Sequence, residues 1–390
     1  MTSSDDDMLA ALEKRLGRLH ARQRLGIEKD HEAQIFGQGL TFFHPENAML
    51  SRWLISFFLM LTGLYWRGTR NSAKVELRHN RIVTKDLPAA FDGFTILHIS
   101  DLHVELSEAA MARVAELASS ANYDVCVLTG DYRAQTFGPY ADALTGVARL
   151  CQKLKGPIYG VLGNHDTICM VPALEEMGIR MLLNERETIE RGGARLHLAG
   201  IDDAHFYRMD NIEKAAEGIP HHEASILLSH TPEIYRQAAH ADFNVLLSGH
   251  THGGQICLPG GIPITLNCVL SRSMGNGRFS HHGMIGYTSA GAGVSRTGPL
   301  QLPAGDHATL FASFRALRRG SQLSDQAASS STTTMSVLPG SCGARLIWLS
   351  SFQLASFTTM PSCTSESVGS TMSRPVSSRK KVCSPNSLLS

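Results

Sequence analysis

Five short polar motifs, each directly after a run of apolar residues, constrain the fold of this chain more than any other feature. The apolar runs have the length and composition of buried strands. They are TILHIS at 95–100, VCVLT at 125–129, IYGVL at 158–162, ASILLS at 224–229 and FNVLLS at 243–248. Because α/β sheets present ligands at the carboxyl ends of their strands, we expect the five motifs to meet at one edge.

The motifs contain residue types that bind divalent ions. In chain order they are Asp101-Leu102-His103, Gly130-Asp131, Gly163-Asn164-His165-Asp166, His230 and Gly249-His250-Thr251-His252. A single histidine after a strand is more often a hydrogen-bonded structural residue, but five such motifs in a row disfavour that interpretation. Carboxylate, amide and imidazole ligands without thiolate suit Mn, Fe or Zn. Such a set can hold two divalent ions about 3.5–4 Å apart, bridged by one carboxylate.

The segments around the motifs indicate a sheet sandwich. Segments 107–120 and 138–154 have helical spacing, whereas 187–200 and 284–290 look like strands without intervening helices. This mix predicts an α/β domain with packed sheets rather than a strictly alternating one.

The order DxH, GD, GNHD, H and GHTH resembles the motif set of the calcineurin-like metallophosphoesterases over about residues 92–295. The resemblance implies a four-layer α-β-β-α sandwich with a dinuclear metal centre. It implies that the phosphate ester or pyrophosphate bond is hydrolysed by a hydroxide held between two divalent ions.

Carried over position by position, the resemblance also implies a role for each motif residue. One metal would be bound by Asp101, His103, Asp131 and His252. The second would be bound by Asp131, Asn164, His230 and His250. His165 would contact the phosphate and protonate or stabilise the leaving group, and Asp166 would orient its imidazole.

Two further groups of residues are harder to assign. Arg133 stands two residues past Asp131, where it is either a bidentate phosphate donor or a surface arginine; Asn164 is also a candidate for substrate contact. The pairs His221-His222 and His281-His282 have no regular spacing to the motifs, so we expect both in solvated loops.

Residues 1–90 are predicted to form a helical extension before a catalytic domain at 91–316. Leu9, Leu12, Leu16 and Leu19 recur at helical spacing. Residues 53–66 read WLISFFLMLTGLYW, which is shorter than the roughly 20 residues that cross a bilayer. The terminal tryptophans favour a helix that lies in the membrane interface. A helix packed on the catalytic domain is an equally weighted alternative, and a membrane-spanning helix ranks third.

The flanking sequences LPAAFDGFTILHISDLHVE and SGHTHGGQ resemble a branch of membrane-associated bacterial phosphoesterases and relatives of the UDP-diacylglucosamine pyrophosphatases. Members of that branch end their sandwich with a strand like PVRFNCPPEITL, whereas 297–309 read TGPLQLPAGDHAT here. A one-base shift of suitable codons interconverts the two. We therefore expect a frame change just before Thr297, a missing final strand, and a disordered Ser/Thr-rich tail over 317–390.

Composition narrows the function classes. The formal net charge of +1 argues against a nucleic-acid binder that works by bulk charge. Eight cysteines without a CxxC motif indicate reduced thiols, and the acidic start shows no signal peptide. The sequence predicts a cytoplasmic metal-dependent phosphoric ester hydrolase, peripheral on the inner face of the membrane. The alternatives are a metal-dependent nuclease, a cyclic-nucleotide phosphodiesterase and a non-catalytic scaffold on the same fold.

Overall fold

The computed structural model describes residues 3–37, 75–254, 268–293 and 307–316, together with 57, 60, 61, 257–258, 262–263 and 266. The chain divides into two compact units, Met1–Gln322 and Leu323–Ser390, and all the described residues lie in the first. The predicted disordered tail and most of the apolar segment 53–66 lie outside them. Within the described part, no helix is long and apolar enough to cross a membrane.

Strands of the described residues, in chain order, are β1 (Val75–Thr84), β2 (Thr95–Ile99), β3 (Val125–Thr129), β4 (Ile158–Val161), β5 (Ile179–Met181), β6 (Glu185–Arg191), β7 (Ala194–Gly200), β8 (Ala224–Leu228), β9 (Val245–Ser248), β10 (Cys257–Leu258), β11 (Ile262–Pro263), β12 (Gly277–His281), β13 (Met284–Thr288) and β14 (His307–Ala316). The α-helices are α1 (Ser3–Leu16), α2 (Arg18–Gly37), α3 (Glu108–Ser120), α4 (Ala141–Cys151), α5 (Val171–Glu176), α6 (Ile212–Ala216) and α7 (Tyr235–His240). The strands therefore form where the sequence predicts them before each of the five motifs.

Two six-stranded sheets carry the fold. Their strand orders are β1-β14-β2-β3-β4-β5 and β12-β13-β9-β8-β7-β6. Strands β2 to β5 run parallel in the first sheet, as do β7, β8, β9 and β13 in the second. The central strands of each sheet therefore present their carboxyl ends at one edge.

Side-chain alternation along the strands builds four layers. In β2, Leu97 joins the apolar cluster beneath α3, α4 and α5, whereas Ile96 joins the cluster that contains Leu198 of the second sheet. On the far face of the second sheet, Leu246 packs in a third cluster with Tyr235 of α7. Because the strands bury side chains on both faces, they are apolar throughout. The predicted α-β-β-α sandwich is confirmed.

The N-terminal helices pack on this sandwich. Leu12 and Leu16 of α1 are buried in the first cluster, as the apolar spacing predicts. Leu19 is 72% exposed, contrary to the same spacing. The reason is Gly17, whose φ of 88° ends α1 in a conformation that glycine adopts readily. Helix α2 begins at Arg18, after this break, so the apolar stripe of α1 does not continue into α2.

Strands β1 and β14 correct two predictions. The helical extension predicted over 1–90 is wrong for Val75–Thr84, which forms β1. The prediction of a missing final strand is also wrong, because His307–Ala316 forms β14 between β1 and β2. It pairs parallel with β1 and antiparallel with β2, and Phe314 is buried between the sheets. Residues 297–306 lie outside the described residues.

Candidate metal centre

The polar motifs meet where the carboxyl ends of the two sheets come together. Motif residues follow β2, β3 and β4 in the first sheet and β8 and β9 in the second. The Nδ1 atom of His230 donates a hydrogen bond of 2.7 Å to the carbonyl of Thr129, which joins the ends of β8 and β3. The backbone N–H of His250 donates to both carboxylate oxygens of Asp101, at 3.0 and 3.1 Å. The motifs therefore form one continuous cluster.

The first set of donor atoms in this cluster is buried. It consists of Asp101, His103, Asp131 and His252, whose ligand atoms all lie within 4.8 Å of one another. The Nδ1 atom of His103 donates to the carbonyl of Arg133 at 2.8 Å, so its Nε2 lone pair faces the set. That Nε2 atom lies 3.2 Å from Nε2 of His252 and 3.7 Å from Oδ2 of Asp131. The set could therefore hold a divalent metal ion.

A second set of donor atoms adjoins the first. The hydrogen bond to Thr129 leaves the Nε2 lone pair of His230 facing the cluster. This Nε2 atom lies 3.0 Å from Oδ1 of Asn164 and 3.2 Å from Nδ1 of His250. It also lies 3.3 Å from Oδ2 of Asp131. Acceptor atoms that face one another in a buried site are stable only with a proton or a cation between them.

The charges of the site favour an added cation. Burial alone would lower the pKa of His230, but the carboxylates, Asp131 foremost, raise it to about 10. Burial would likewise raise the pKa of Asp131, but the imidazoles, His230 foremost, hold it well below its usual range. The buried carboxylates therefore attract positive charge, and the mixed oxygen and nitrogen donors fit ions such as Mn, Fe or Zn.

The backbone at the site is strained. Several of the predicted ligands have positive φ angles, a conformation that costs free energy for residues other than glycine. They are Asp101 (54°), His103 (39°), Asp131 (57°), His250 (71°) and His252 (48°). A Cβ on Gly163 would lie 2.2 Å from Oδ1 of Asp131, so only glycine fits there. The loops thus hold the donor atoms together at a cost in local stability, as functional sites often do.

The structure corrects the role predicted for Asp166. Its carboxylate accepts hydrogen bonds from the backbone N–H groups of Asp131 (2.7 Å), Gly163 (2.8 Å) and Tyr132 (2.9 Å). The imidazole of His165 instead has its Nδ1 atom 3.0 Å from the hydroxyl of Thr136. Asp166 therefore fixes the loop that carries Asp131, and Thr136 is the residue that orients His165.

His165 lies at the open side of the cluster. Its side chain is 29% exposed, and its Nε2 atom lies 3.9 Å from Oδ2 of Asp131. Burial lowers the pKa of His165 to about 4, against the opposing effect of Asp131. The imidazole is therefore neutral at pH 7 and close to the point where both donor sets meet.

Of the two alternatives for Arg133, the surface arginine is wrong because the residue is buried, and the phosphate-binding role stays a prediction. Arg133 is buried, and its guanidinium donates to three backbone carbonyls, those of His165, Thr136 and Gly138. Through these three contacts the side chain holds the 133–138 loop against the His165 loop.

The sequence analysis missed one loop that lies beside the cluster. Asp202, Asp203 and His205 follow β7, and the His205 ring centroid lies 4.3 Å from that of His250. The Nδ1 atom of His205 lies 2.6 Å from Oε2 of Glu233. The sequence pattern that could have revealed this loop is the one used for the other motifs, namely polar residues after a parallel strand.

Helix α2 supports the loops of the candidate metal centre from outside. Arg24 is fully buried; its Nε atom lies 3.3 Å from Oδ1 of Asp202, and its Nη1 atom lies 2.6 Å from Oε1 of Glu28. The Glu28 carboxylate in turn accepts hydrogen bonds from the hydroxyl of Thr167 (2.5 Å) and the N–H of Ile168 (2.8 Å). One helix therefore holds the loops after β4 and β7.

Comparisons with known proteins agree with this geometry. The family model described as calcineurin-like phosphoesterase matches residues 94–254. The chain is 30% identical to the metallophosphoesterase YkoQ of Bacillus subtilis over 246 residues, which cover 60% of this chain and 89% of YkoQ. It is 29% identical over 232 residues to a Danio rerio protein named as a transmembrane protein with a metallophosphoesterase domain. That match covers 54% of this chain and about half, 51%, of the Danio rerio protein.

Among solved structures, TT1561 of Thermus thermophilus is similar to this chain. The TM-score is 0.34 at 14% identity, and the match covers 51% of this chain and 90% of TT1561.

Proposed function

The chain belongs to the calcineurin-like metallophosphoesterase family, and on that premise we propose that it is a dinuclear-metal hydrolase of phosphate esters or pyrophosphates. In this proposal, Asp101, His103, Asp131 and His252 bind one divalent ion. Asp131, Asn164, His230 and His250 bind the other.

The position of Asp131 is the observation that carries the proposal. Its Oδ2 atom lies 3.7 Å from Nε2 of His103 in the first donor set and 3.3 Å from Nε2 of His230 in the second. Its Oδ1 atom accepts a hydrogen bond of 2.9 Å from the N–H of His165, which fixes the orientation of the carboxylate. One carboxylate oxygen thus belongs to both sets, as a bridging ligand requires.

The protein groups around the donor sets have their own parts in the proposed reaction. Divalent ions bound here would supply a hydroxide nucleophile at neutral pH and neutralise charge on the phosphoryl group. His165, neutral and partly exposed beside Asp131, would hydrogen-bond to a phosphoryl oxygen or to the leaving-group oxygen. Thr136 would keep its ring in place, and Asn164 would help to position the phosphate.

We extend the proposal to a lipid-linked or nucleotide-sugar substrate, with the enzyme cytoplasmic and peripheral on the inner face of the cell membrane. Two features support this extension. The sequences that flank the motifs resemble those of membrane-associated bacterial phosphoesterases, and the segment 53–66 is apolar. In that segment, the described residues Phe57, Met60 and Leu61 are exposed apolar side chains. Binding of the full chain to anionic vesicles, compared with a Phe57→Ser/Leu61→Ser variant, tests the location. Equal binding of both proteins would contradict it.

The activity is tested with metal-stripped full-length protein reloaded with Mn²⁺, Fe²⁺ or Zn²⁺. The panel contains an aryl phosphomonoester, an aryl phosphodiester, a cyclic nucleotide, single-stranded DNA and a nucleotide-sugar pyrophosphate. We expect metal-dependent hydrolysis of the ester or pyrophosphate substrates, lost in Asp131→Asn. Cleavage confined to DNA or to the cyclic nucleotide would favour a nuclease or a cyclic-nucleotide phosphodiesterase instead. Metal binding without any hydrolysis would favour a scaffold.

A further inference from the structure

Three histidines cluster at the end of the second sheet that faces away from the metal centre. Strand β13 runs parallel to β9 with Ile285 opposite Val245, the first residue of β9. The turn that precedes β13 therefore lies at the amino end of β9. The metal centre lies at the other end, because His250 follows the carboxyl end of the same strand. The whole length of β9 separates the two places.

The loop predicted for His281-His282 is instead a tight hairpin turn. His281 ends β12 and pairs with Met284, so only His282 and Gly283 connect the strands. Both have positive φ angles, 46° and 87°, a pattern that hairpins usually build with Asn-Gly. A histidine in this strained position is an outlier that invites a functional explanation.

Helix α7 brings a third imidazole to this turn. His240 is its last residue, and its ring centroid lies 5.0 Å from that of His282. The rings of His281 and His282 are 4.5 Å apart and nearly perpendicular, at 86°. One nitrogen from each of the three rings lies within 4.8 Å of the others. The three nitrogens therefore lie close enough together to serve as ligands of one ion.

The neighbours of His281 pack against its ring and favour its neutral form. The ring of Tyr235 packs edge-on against His281 at 4.7 Å, and the guanidinium of Arg236 lies 4.7 Å from the centroid of the Tyr235 ring. Partial burial, followed by the nearby His282, Arg236 and His240, lowers the pKa of His281. A neutral imidazole is the form that binds a metal. The charge of Arg236 opposes a cation, so we expect a modest affinity.

We propose that His240, His281 and His282 form a separate surface site for one transition-metal ion. Imidazole ligands suit Zn²⁺, Ni²⁺ and Cu²⁺, and three histidines leave a fourth position for water. A metal at this site would tie the end of α7 to the β12–β13 hairpin. Both elements pack on the strands that lead to the metal centre, but the site takes no part in the proposed hydrolysis.

Counting bound ions tests the site. The untagged full-length protein is stripped with chelator, dialysed to equilibrium against a fixed excess of Zn²⁺ or Ni²⁺, and its metal content is measured relative to that of the dialysis buffer. We expect the wild type to retain about one more ion per chain than His240→Ala or His282→Asn. His282→Asn keeps a residue that suits the left-handed turn, and His240 is exposed, so both variants should fold.

His222→Asn is the matched control, because His222 is an exposed histidine outside the cluster. It should retain as many ions as the wild type. A second measurement is the midpoint of thermal unfolding in Ni²⁺ relative to metal-free buffer. It should rise less in His240→Ala than in His222→Asn. The same metal content in the wild type, His240→Ala and His282→Asn would overturn the proposal.

Discussion

The Nη2 atom of Arg24 donates a hydrogen bond of 3.1 Å to the backbone carbonyl of Asp166, which joins helix α2 to the loop that carries His165. The guanidinium carbon also lies 3.4 Å from the centroid of the Tyr207 ring, and Asp202 shares the same buried contact. The N-terminal helix is therefore part of the support of the candidate metal centre, although it is remote in sequence.

Arg24→Ala should destabilise the protein and weaken catalysis. Removal of the buried guanidinium takes away the arginine partner of both Asp202 and Glu28, and breaking a buried ion pair typically costs about 3–5 kcal/mol. We expect the denaturant midpoint to fall accordingly and the metal-dependent hydrolysis rate to fall with it. Arg22→Ala is the control, because Arg22 is exposed and pairs with Glu13 at the surface. Equal stability of the two variants would contradict this role of Arg24.

Thr136→Val should lower the rate of hydrolysis without unfolding the protein. The change is nearly isosteric and removes the hydroxyl 3.0 Å from Nδ1 of His165. Loss of a residue that orients an active-site imidazole typically costs about 10–100-fold in activity. Steady-state kinetics should show the loss in kcat, with metal content unchanged. Thr145→Val, at an exposed hydroxyl on α4, should leave kcat unchanged. Normal kcat in Thr136→Val would mean that another contact holds His165.

The contact between α2 and the β7 loop should weaken in acid. Burial would raise the pKa of Asp202, but Arg24 and His20 outweigh it, so the folded-state pKa lies below the usual value. The unfolded chain therefore binds this proton more readily than the folded one. Its contribution to stability is complete above about pH 4, the ordinary pKa of aspartate, and is lost as the pH falls further.

Urea unfolding at pH values from neutral to acidic measures this dependence. Asp202→Asn should be less stable than the wild type at neutral pH and should lose less stability below about pH 4. Asp7→Asn, at an exposed position of α1, should follow the wild-type curve. A wild-type curve as flat as that of Asp202→Asn would show that Asp202 does not carry the effect.

The sequence predicts the donor atoms of the centre because each stands directly after a strand. Strand positions follow from local apolar patterns, and the carboxyl ends of parallel strands meet at one edge. The assignment of Asp131 to both donor sets comes from the resemblance to the calcineurin-like metallophosphoesterases, because strand order alone does not decide which ligand is shared. The apolar run that contains Ile96 and Leu97 likewise predicts a strand buried on both faces, and the two side chains lie in different apolar clusters.

The partners of Arg133 and Asp166 could not be predicted in the same way. Both side chains bond to backbone groups of neighbouring loops, and the course of a loop is not encoded in a periodic pattern. Arg24 is a similar case, since its contact with Asp202 spans 178 positions of the chain. Such contacts depend on how whole elements pack. For the same reason, the prediction of a missing final strand failed at β14.

Removal of metal should destabilise the wild type more than it destabilises Asp131→Asn. An ion that binds only the folded state adds about 2.7 kcal/mol of stability when present at 100 times its Kd. Thermal unfolding with Mn²⁺ and with chelator measures this gain. In Asp131→Asn the shared carboxylate oxygens become an amide, so both donor sets lose a charge and the Mn²⁺-dependent shift should largely disappear.

Asp142→Asn, at an exposed position of α4, should keep the full Mn²⁺-dependent shift. The metal content of Asp131→Asn also distinguishes a ligand shared by two ions from a ligand that binds one ion only. If Asp131 served only the first donor set, the variant would still bind an ion through Asn164, His230 and His250 and would keep about half of the metal content. Retention of the full Mn²⁺-dependent shift by Asp131→Asn would exclude a bridging role. A carboxylate shared by both donor sets must weaken the binding of both ions when it is removed.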